Sequence, residues 1–277
     1  MGIFQNAGVL ASSFIHGQGV GPSTERRLWR SGAHDWPAFL ALARGGRLRG
    51  KRMVQLAEVV QASQAALAAG HIEFFGERLP PAELWRLHGS FSQQAAYFDI
   101  ETTGLSPGLD VVTVVGLYDG RSFQAFVRGQ NLDDFPRAAA SHALLVSYNG
   151  ATFDLPFLQA TFQGFAPRAH LDLRYPLARL GYRGGLKEIE RRAGIRRPGH
   201  LAELSGFDAV RLWHEHERGD AEALATLIAY TREDVVNLSA LADLVAAQMP
   251  AQLGFPGARE LSRGGGERGD AAMRCCP

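Results

Sequence analysis

The chain has 277 residues, 46% of them hydrophobic, which is enough for a sizeable packed domain and a smaller one. No apolar run reaches the roughly 18 residues that cross a membrane, and the amino terminus lacks the basic flank of a secretory signal peptide. Cys275 and Cys276 are adjacent, so they can form neither a disulfide framework nor a four-ligand zinc site. We therefore expect a cytoplasmic protein without disulfides.

The net charge of +1 conceals a basic amino-terminal part. Residues 1–94 carry ten Lys and Arg against six Asp and Glu, whereas residues 95–277 carry nineteen against twenty-two. Most of the basic excess lies between Thr24 and Arg52. This distribution suits a phosphate-gripping module joined to a metal-binding one, although a solvated, charged helical surface would have the same composition.

Three regions of the chain differ in composition and in hydrophobic pattern. Residues 1–90 have a helical pattern, since apolar residues from Met53 to Ala69 recur at helical spacing without a breaker. Residues 91–250 alternate between strand-like and helical runs, and we predict one domain there. We predict that residues 251–277 form a disordered tail, because their Gly, Arg, Glu and Ser composition cannot bury a core.

Strands are predicted first in the second region. Short runs of β-branched and aromatic residues, separated by Gly, Asp and Pro, are AAYFDI (95–100), VVTVVGLY (111–118), SFQAFV (122–127) and ALLVSYN (143–149). Asp119-Gly120 predicts a hairpin between the second and third runs. Helices are predicted over 152–163, 173–181, 185–193, 207–218 and 220–248. This order predicts an α/β fold with a mixed sheet flanked by helices.

The first acidic motif is YFDIETTG, from Tyr97 to Gly104. Strand side chains alternate, so Asp99 and Glu101 project from one face. Two carboxylates this close repel each other unless a cation neutralises them, and Mg²⁺ prefers a few carboxylates together with waters and phosphate oxygens. A solvent-facing strand end that is acidic by chance is the alternative.

The second motif, SYNGATFD, joins a strand to a helix. Asp154 falls in the first helical turn, at the carboxyl end of a strand, where open α/β sheets usually place their chemistry. An aspartate also suits the dipole of a helix start, which contributes a few tenths to about 1 kcal/mol. A structural role is therefore the alternative.

The third motif, YTRED, lies on the long predicted helix. Tyr230 and Asp234 are four residues apart and share one face. We expect the leucines that continue this face to be buried, namely Leu227, Leu238 and Leu241. A carboxylate directed toward a buried seam is costly unless it is paired or binds a metal. An exposed aspartate at the helix edge is the alternative.

Together, the order, spacing and context of the three motifs resemble the DEDD 3′→5′ exonucleases of the ribonuclease H-like superfamily. The motifs match as D-I-E-T-T-G at Asp99 to Gly104, N-x-x-x-F-D at Asn149 to Asp154 and Y-x-x-x-D at Tyr230 to Asp234. The tyrosine is typical of the tyrosine branch (DEDDy) of these enzymes. More narrowly, HLDL at 170–173 and GLKE at 185–188 make the chain similar to the YprB-type predicted exonucleases of bacteria.

This resemblance implies a site for two Mg²⁺ ions, with Mn²⁺ as a substitute. Asp99, Glu101 and Asp234 would hold the ion that activates water. Asp99 would also touch the second ion, which Asp154 would reach directly or through water. Two cations about 4 Å apart stabilise both the attacking and the leaving oxygen of a phosphoryl displacement. Tyr230 would position the attacking water, since the reference pKa of its phenol is about 10.

The implied substrate is a single-stranded 3′ end of DNA or RNA, and the implied products are nucleoside 5′-monophosphates. The resemblance implies that the terminal nucleotide is cradled by Thr102, Thr103, Leu105, Asn149 and Phe153. Two other functions fit the same fold: a non-catalytic nucleic-acid-binding module and a structure-specific endonuclease. The four carboxylates argue against the first, and the tyrosine of the third motif argues against the second.

The segment FIHGQGVGP, followed by TERRLW, resembles a helix-hairpin-helix motif. In that motif a turn, here from Gly19 to Gly21, points backbone N–H groups at a nucleic-acid phosphate, and the next helix adds its positive end. Arg26 and Arg27 would add charge. One clear copy is present, and a glycine turn that joins two packed helices is the alternative.

Overall fold

A five-stranded mixed sheet lies at the centre of the fold. In the computed structural model, which describes residues 8–258, the strands are β1 (Ala95–Thr102), β2 (Val112–Tyr118), β3 (Phe123–Val127), β4 (Leu144–Ser147) and β5 (His170–Asp172). Their order in the sheet is β3-β2-β1-β4-β5. β2 is antiparallel to β1 and β3, whereas β4 is parallel to β1 and β5. The predicted α/β fold is confirmed.

The hairpin between β2 and β3 turns at Asp119-Gly120. Gly120 has a φ of +89°, a left-handed conformation that glycine adopts without steric cost. The Asp119 carboxylate accepts hydrogen bonds from the backbone N–H groups of Arg121 (2.8 Å) and Ser122 (2.7 Å). The predicted hairpin is therefore confirmed.

Helices cover the sheet and form the region before it. Those that precede the sheet are α1 (Gly8–Ala11), α2 (Pro22–Arg30), α3 (Trp36–Arg44), α4 (Lys51–Ala68), α5 (Ile72–Gly76) and α6 (His88–Phe91). Those that follow β3 are α7 (Phe135–Ala140), α8 (Asp154–Thr161), α9 (Arg174–Arg179), α10 (Leu186–Ala193), α11 (Gly199–Ala202), α12 (Gly206–Glu217) and α13 (Ala221–Leu253). Short 3-10 segments cover Pro81–Leu87, Ser92–Gln94 and Leu132–Asp134. Within residues 8–258, no helix combines the length and hydropathy needed to cross a membrane.

The 33-residue helix α13 packs across the sheet. The Asp220 carboxylate accepts hydrogen bonds from the first turn and fixes where the helix begins. A Cβ atom on Gly116 of β2 would lie 2.8 Å from Thr231 Cγ2, so the missing side chain lets the helix approach the sheet closely. The leucines expected in this interface are fully buried: Leu227, Leu238 and Leu241. This packing directs Tyr230 and Asp234 toward β1.

The amino-terminal helices share one hydrophobic core with part of the sheet. Phe14, Trp36 and Phe75 belong to the same cluster of buried side chains as Tyr97 of β1 and Leu144 of β4. The division of the chain at residue 90 stays a prediction.

Buried ion pairs add to this contact. Arg86 lies 2.8 Å from Glu25 of α2 and 2.7 Å from Glu83, and its side chain is 2% exposed. Glu83 also accepts a hydrogen bond of 2.7 Å from Arg179 of α9. Because buried charges are tolerated only when they are paired, this network holds α2 in one position against the rest of the molecule.

The described part of the predicted tail packs on the amino-terminal helices. Phe255 is 6% exposed, and its ring centroid lies 4.6 Å from that of Trp29. A single aromatic residue can anchor a polar segment, and the average composition of the segment does not indicate such a contact. The rest of the predicted tail, residues 259–277, lies outside the described residues.

Candidate active site

Three carboxylates meet between β1 and α13. Asp99 and Glu101 alternate with buried apolar residues along β1, and Asp234 comes from α13. One carboxylate oxygen of each residue lies within 4.8 Å of the others. Glu101 and Asp234 are 7% and 5% exposed, whereas Asp99 is partly exposed. Residues that are more than 130 positions apart in the sequence thus form one acidic cluster.

Burial and mutual repulsion disfavour the ionised form of this cluster. Burial, followed by the charges of Asp154 and Asp234, raises the pKa of Asp99 well above its ordinary value. Burial and Asp234 act in the same way on the pKa of Glu101. Burial raises the pKa of Asp234 to about 6, although Arg197 opposes this shift. A hard divalent cation with oxygen ligands would offset such an excess of negative charge.

Asp154 lies in the first turn of α8 and is 2% exposed. Among the described residues, its Oδ1 atom is buried without a hydrogen-bond partner. Burial raises the pKa of Asp154 to about 8. An unpaired, buried carboxylate oxygen is costly, so Asp154 fits a site that takes a cation.

The loop before Asp154 has a demanding geometry. Asn149 has a φ of +66°, and a Cβ atom on Gly150 would lie 2.1 Å from Ser147 Oγ. The buried Asp172 carboxylate accepts hydrogen bonds from the backbone N–H groups of Asn149 (2.8 Å) and Ala151 (3.2 Å). The Asn-Gly pair is needed to make this turn, and Asp172 of β5 holds it in place.

Tyr230 lies beside the acidic cluster and is 7% exposed. Burial and the charge of Asp234 raise the pKa of its phenol above the ordinary value of 10, so the hydroxyl stays protonated at neutral pH. The Lys187 ammonium lies 4.8 Å from the centroid of the Tyr230 ring.

A cavity of about 710 Å³ contains this cluster. Its lining includes all four carboxylates of the three motifs and the tyrosine of the third. The residues predicted to cradle a nucleotide also line it, namely Thr102, Thr103, Leu105, Asn149 and Phe153. The structure therefore brings the predicted catalytic and substrate residues into one space.

The model of the RNase_H_2 family, within the RNase_H superfamily, matches residues 96–246, more than half of the chain. The chain belongs to the RNase_H superfamily. The matched residues begin in β1 and end in α13, so the RNase_H domain includes all four carboxylates. No curated protein matches the chain.

Solved structures similar to the chain include a DNA polymerase, NrnC and RNase D. The family B DNA polymerase of Pyrobaculum calidifontis is 17% identical over 61% of this chain, with a TM-score of 0.46, and the chain spans 26% of its length. NrnC of Brucella melitensis with bound Mg²⁺ is 21% identical over 66% of this chain and 92% of its own, with a TM-score of 0.41. Escherichia coli RNase D, an exoribonuclease, is 17% identical over 65% of this chain and 47% of its own, with a TM-score of 0.39.

Phe207 of the RNase_H domain is a cavity residue that the sequence did not reveal. It lies at the start of α12, lines the cavity and is 86% exposed. The only available signal is the capping box formed by Ser205 and Asp208, which locates the helix start and hence an aromatic residue in its first turn. Leu105, after β1, is likewise 77% exposed in the same cavity.

Arg197 of the RNase_H domain was also missed. The surrounding sequence, GIRRPGH, is that of an exposed polar loop, yet the Arg197 side chain is only 4% exposed and pairs with Asp234. Lys187, in the first turn of α10, also lines the cavity.

The predicted nucleic-acid backbone contacts lie outside this cavity. Gly19 has a φ of +74°, Gly21 precedes α2, and Arg26 and Arg27 are exposed on its first turns. Glu25, which directly precedes Arg26, is buried and accepts hydrogen bonds from the backbone N–H groups at positions 14 and 15. The glycine turn thus joins packed helices while its basic residues face solvent.

Proposed function

We propose that this chain is a metal-dependent 3′→5′ exonuclease of the tyrosine branch of the DEDD group, of the YprB type. The observation that supports this most strongly is the meeting of Asp99, Glu101 and Asp234 in the same cavity as Asp154 and Tyr230. Membership of the RNase_H superfamily supports hydrolysis of nucleic-acid phosphodiesters. The cytoplasmic location stays a prediction from the sequence.

The four carboxylates are proposed to hold two Mg²⁺ ions, with Mn²⁺ as a substitute. Asp99, Glu101 and Asp234 offer clustered oxygens, and Asp154 offers a buried oxygen that has no partner among residues 8–258. When bound, two such ions supply Lewis-acid stabilisation of the attacking and leaving oxygens. The carboxylates fix where that charge is placed, because β1 and α13 are rigid elements of the core.

Tyr230 is proposed to orient the attacking water. Its hydroxyl lies in the cavity and keeps its proton, so it can donate a hydrogen bond to the water or accept one from it. Because burial raises the pKa of the phenol, Tyr230 positions the water and does not remove its proton. The neighbouring Lys187 places a positive charge at the same side of the cavity.

The terminal nucleotide is proposed to lie between apolar and polar walls. Leu105 and Phe207 present exposed apolar surface to the cavity, and bases stack on aromatic side chains in many single-strand-binding proteins. Thr102, Thr103, Asn149 and Phe153 line the same space. A frayed, single-stranded 3′ end fits this arrangement, because its terminal base has no partner strand and can enter the cavity alone.

The direction of cleavage can be tested with oligonucleotides labelled at one end. Single-stranded DNA and RNA of matched sequence are incubated with the chain in Mg²⁺ or Mn²⁺. A 3′ label should appear at once as a mononucleotide, whereas a 5′ label should give a ladder of strands shortened one residue at a time. Internal fragments from both labels would indicate an endonuclease. Binding without any cleavage in either metal would indicate a non-catalytic module.

The amino-terminal segment is proposed to grip the nucleic-acid backbone through Gly19, Gly21, Arg26 and Arg27. Replacing both arginines by Ala should weaken DNA binding and reduce the salt slope of the logarithm of affinity by about 1 to 2, because each lost phosphate contact removes about 0.7 to 0.9. Fluorescence anisotropy at several salt concentrations measures this slope. Arg121→Ala, in the exposed β2–β3 turn, is the matched control. An unchanged slope in the double variant would show that the segment is only structural.

A further inference from the structure

A buried polar network leads from α10 to the acidic cluster. The Arg197 guanidinium donates from Nε to Glu190 Oε2 (2.5 Å) and from Nη2 to Glu190 Oε1 (2.6 Å). The same Nη2 atom also donates to Asp234 Oδ1. Asn237 Nδ2 donates to Glu190 Oε1 at 3.3 Å. The side chains of Arg197, Glu190 and Asp234 are 4%, 2% and 7% exposed.

This network joins three separate segments of the chain. Glu190 belongs to α10, Asp234 and Asn237 belong to α13, and Arg197 lies in the connection between α10 and α11. The planar fork of an arginine can serve two carboxylates at once, which the single ammonium of a lysine cannot do with the same geometry. The bidentate pair with Glu190 therefore fixes the direction from which Arg197 approaches Asp234.

Arg197 cannot act on a substrate directly. It does not line the cavity, and its side chain is almost fully buried. Arg197 donates a hydrogen bond to Asp234 Oδ1, whereas Asp234 Oδ2 accepts no hydrogen bond from any residue between 8 and 258. The guanidinium therefore divides the carboxylate into one oxygen that is held and one that is left for another partner.

We propose that Arg197, held by Glu190, is a positioning residue that orients the Asp234 carboxylate for ion binding, and that Asn237 in turn holds Glu190. This inference rests on the proposed metal-dependent function. Arg197 holds Oδ1, which would leave Oδ2 of Asp234 for an ion shared with Asp99 and Glu101. Groups that orient a metal ligand in this way commonly change metal affinity when they are replaced.

The alternative is that the network only fastens α10 to α13. The two roles differ in what they do to a folded variant. If the network only fastens the helices, replacing Arg197 or Glu190 lowers the stability of the fold but leaves the affinity of the folded variant for an ion unchanged. If Arg197 positions Asp234, the same replacements lower the affinity for an ion even in a folded variant.

The test uses the full chain and Mn²⁺ alone, without substrate. Binding is measured by isothermal calorimetry and by the electron paramagnetic resonance signal of free Mn²⁺, and folding is followed by circular dichroism. The variants are Arg197→Lys, which keeps the charge but not the fork, and Glu190→Gln, which keeps the size but not the charge. Arg191→Lys is the matched control, because Arg191 lies on α10, is exposed and pairs with Glu188.

Arg197→Lys and Glu190→Gln should each weaken Mn²⁺ binding by about 10- to 100-fold, whereas Arg191→Lys should leave it unchanged. Wild-type affinity in either folded variant would overturn the positioning role. Failure of Arg197→Lys to fold leaves Glu190→Gln to decide. Absence of Mn²⁺ binding in the unmodified chain would overturn this inference and the proposed function together, whereas normal binding in all variants would overturn this inference alone.

Discussion

Asp99→Asn should reduce metal-dependent hydrolysis by at least about a thousandfold, because bound metal ions contribute several kcal/mol to the stabilisation of transition-state charge and each 1.36 kcal/mol is about tenfold in rate. Asp99 belongs to the acidic cluster, and its pKa is raised by burial and by the charges of Asp154, Asp234 and Glu101. Single-turnover cleavage of a 3′-labelled strand in saturating Mg²⁺ measures the loss.

The same variant should remain folded in the absence of metal and be at least as stable as the parent chain, because it removes an acidic group whose ionised form is disfavoured by burial and by the neighbouring carboxylates. Asp133→Asn, an exposed aspartate after β3, is the control and should retain full activity. If Asp99→Asn retains the parent rate, the cluster does not hold the ions that support hydrolysis.

Without metal, the stability of the fold should fall as the pH rises from about 6.5 to about 8. Burial raises the pKa of Asp154 from 3.8 to about 8, and it raises the pKa of Asp99 and Glu101 well above their ordinary values. The folded chain therefore holds protons that the unfolded chain has already released, and this stabilisation is lost as the pH rises through the folded pKa. Thermal unfolding in EDTA across this range measures the slope.

The lower limit of this range is set by buried histidines that act in the opposite direction. Burial lowers the pKa of His16 and His170 from 6.5 to about 4. Their contribution is lost as the pH falls from about 6.5 toward 4, so it opposes the slope of the carboxylates mainly below this range.

Saturating Mg²⁺ should remove this fall, because the ions replace the protons as the counter-charge of the carboxylates. Asp154→Asn should flatten the metal-free slope, since it deletes a group that titrates in the range. A metal-free stability that rises between pH 6.5 and 8, or a slope that Mg²⁺ does not change, would contradict the electrostatic description of the site.

The parts of the site that follow from local rules could be predicted from the sequence. Alternation along β1 places Asp99 and Glu101 on the same face of the strand, and helical spacing places Tyr230 and Asp234 on the same face of α13. The strand-to-helix junction locates Asp154. The mixed sheet and the β2–β3 hairpin follow from runs of β-branched residues and from the Asp-Gly turn, and both are confirmed.

Residues whose role depends on tertiary packing could not be predicted. Arg197 lies in a polar loop and Asp234 is 37 positions away, so nothing local indicates that the two would meet in the interior. Phe207 begins a predicted helix, and the sequence does not indicate that its side chain lies exposed in the cavity. Phe255 is buried against Trp29 from a segment whose composition suggests disorder. In each case burial is decided by the arrangement of distant elements, which composition and periodicity do not report.

The most direct test of the central claim is diffraction from crystals soaked in Mn²⁺, recorded at the manganese absorption edge. If the four carboxylates hold two divalent ions, the anomalous map should contain two peaks in the cavity. One should contact oxygens of Asp99, Glu101 and Asp234, and the other should lie between Asp99 and Asp154. A map without peaks in this cavity at a Mn²⁺ concentration that supports cleavage, or with its peaks elsewhere on the molecule, would contradict the assignment.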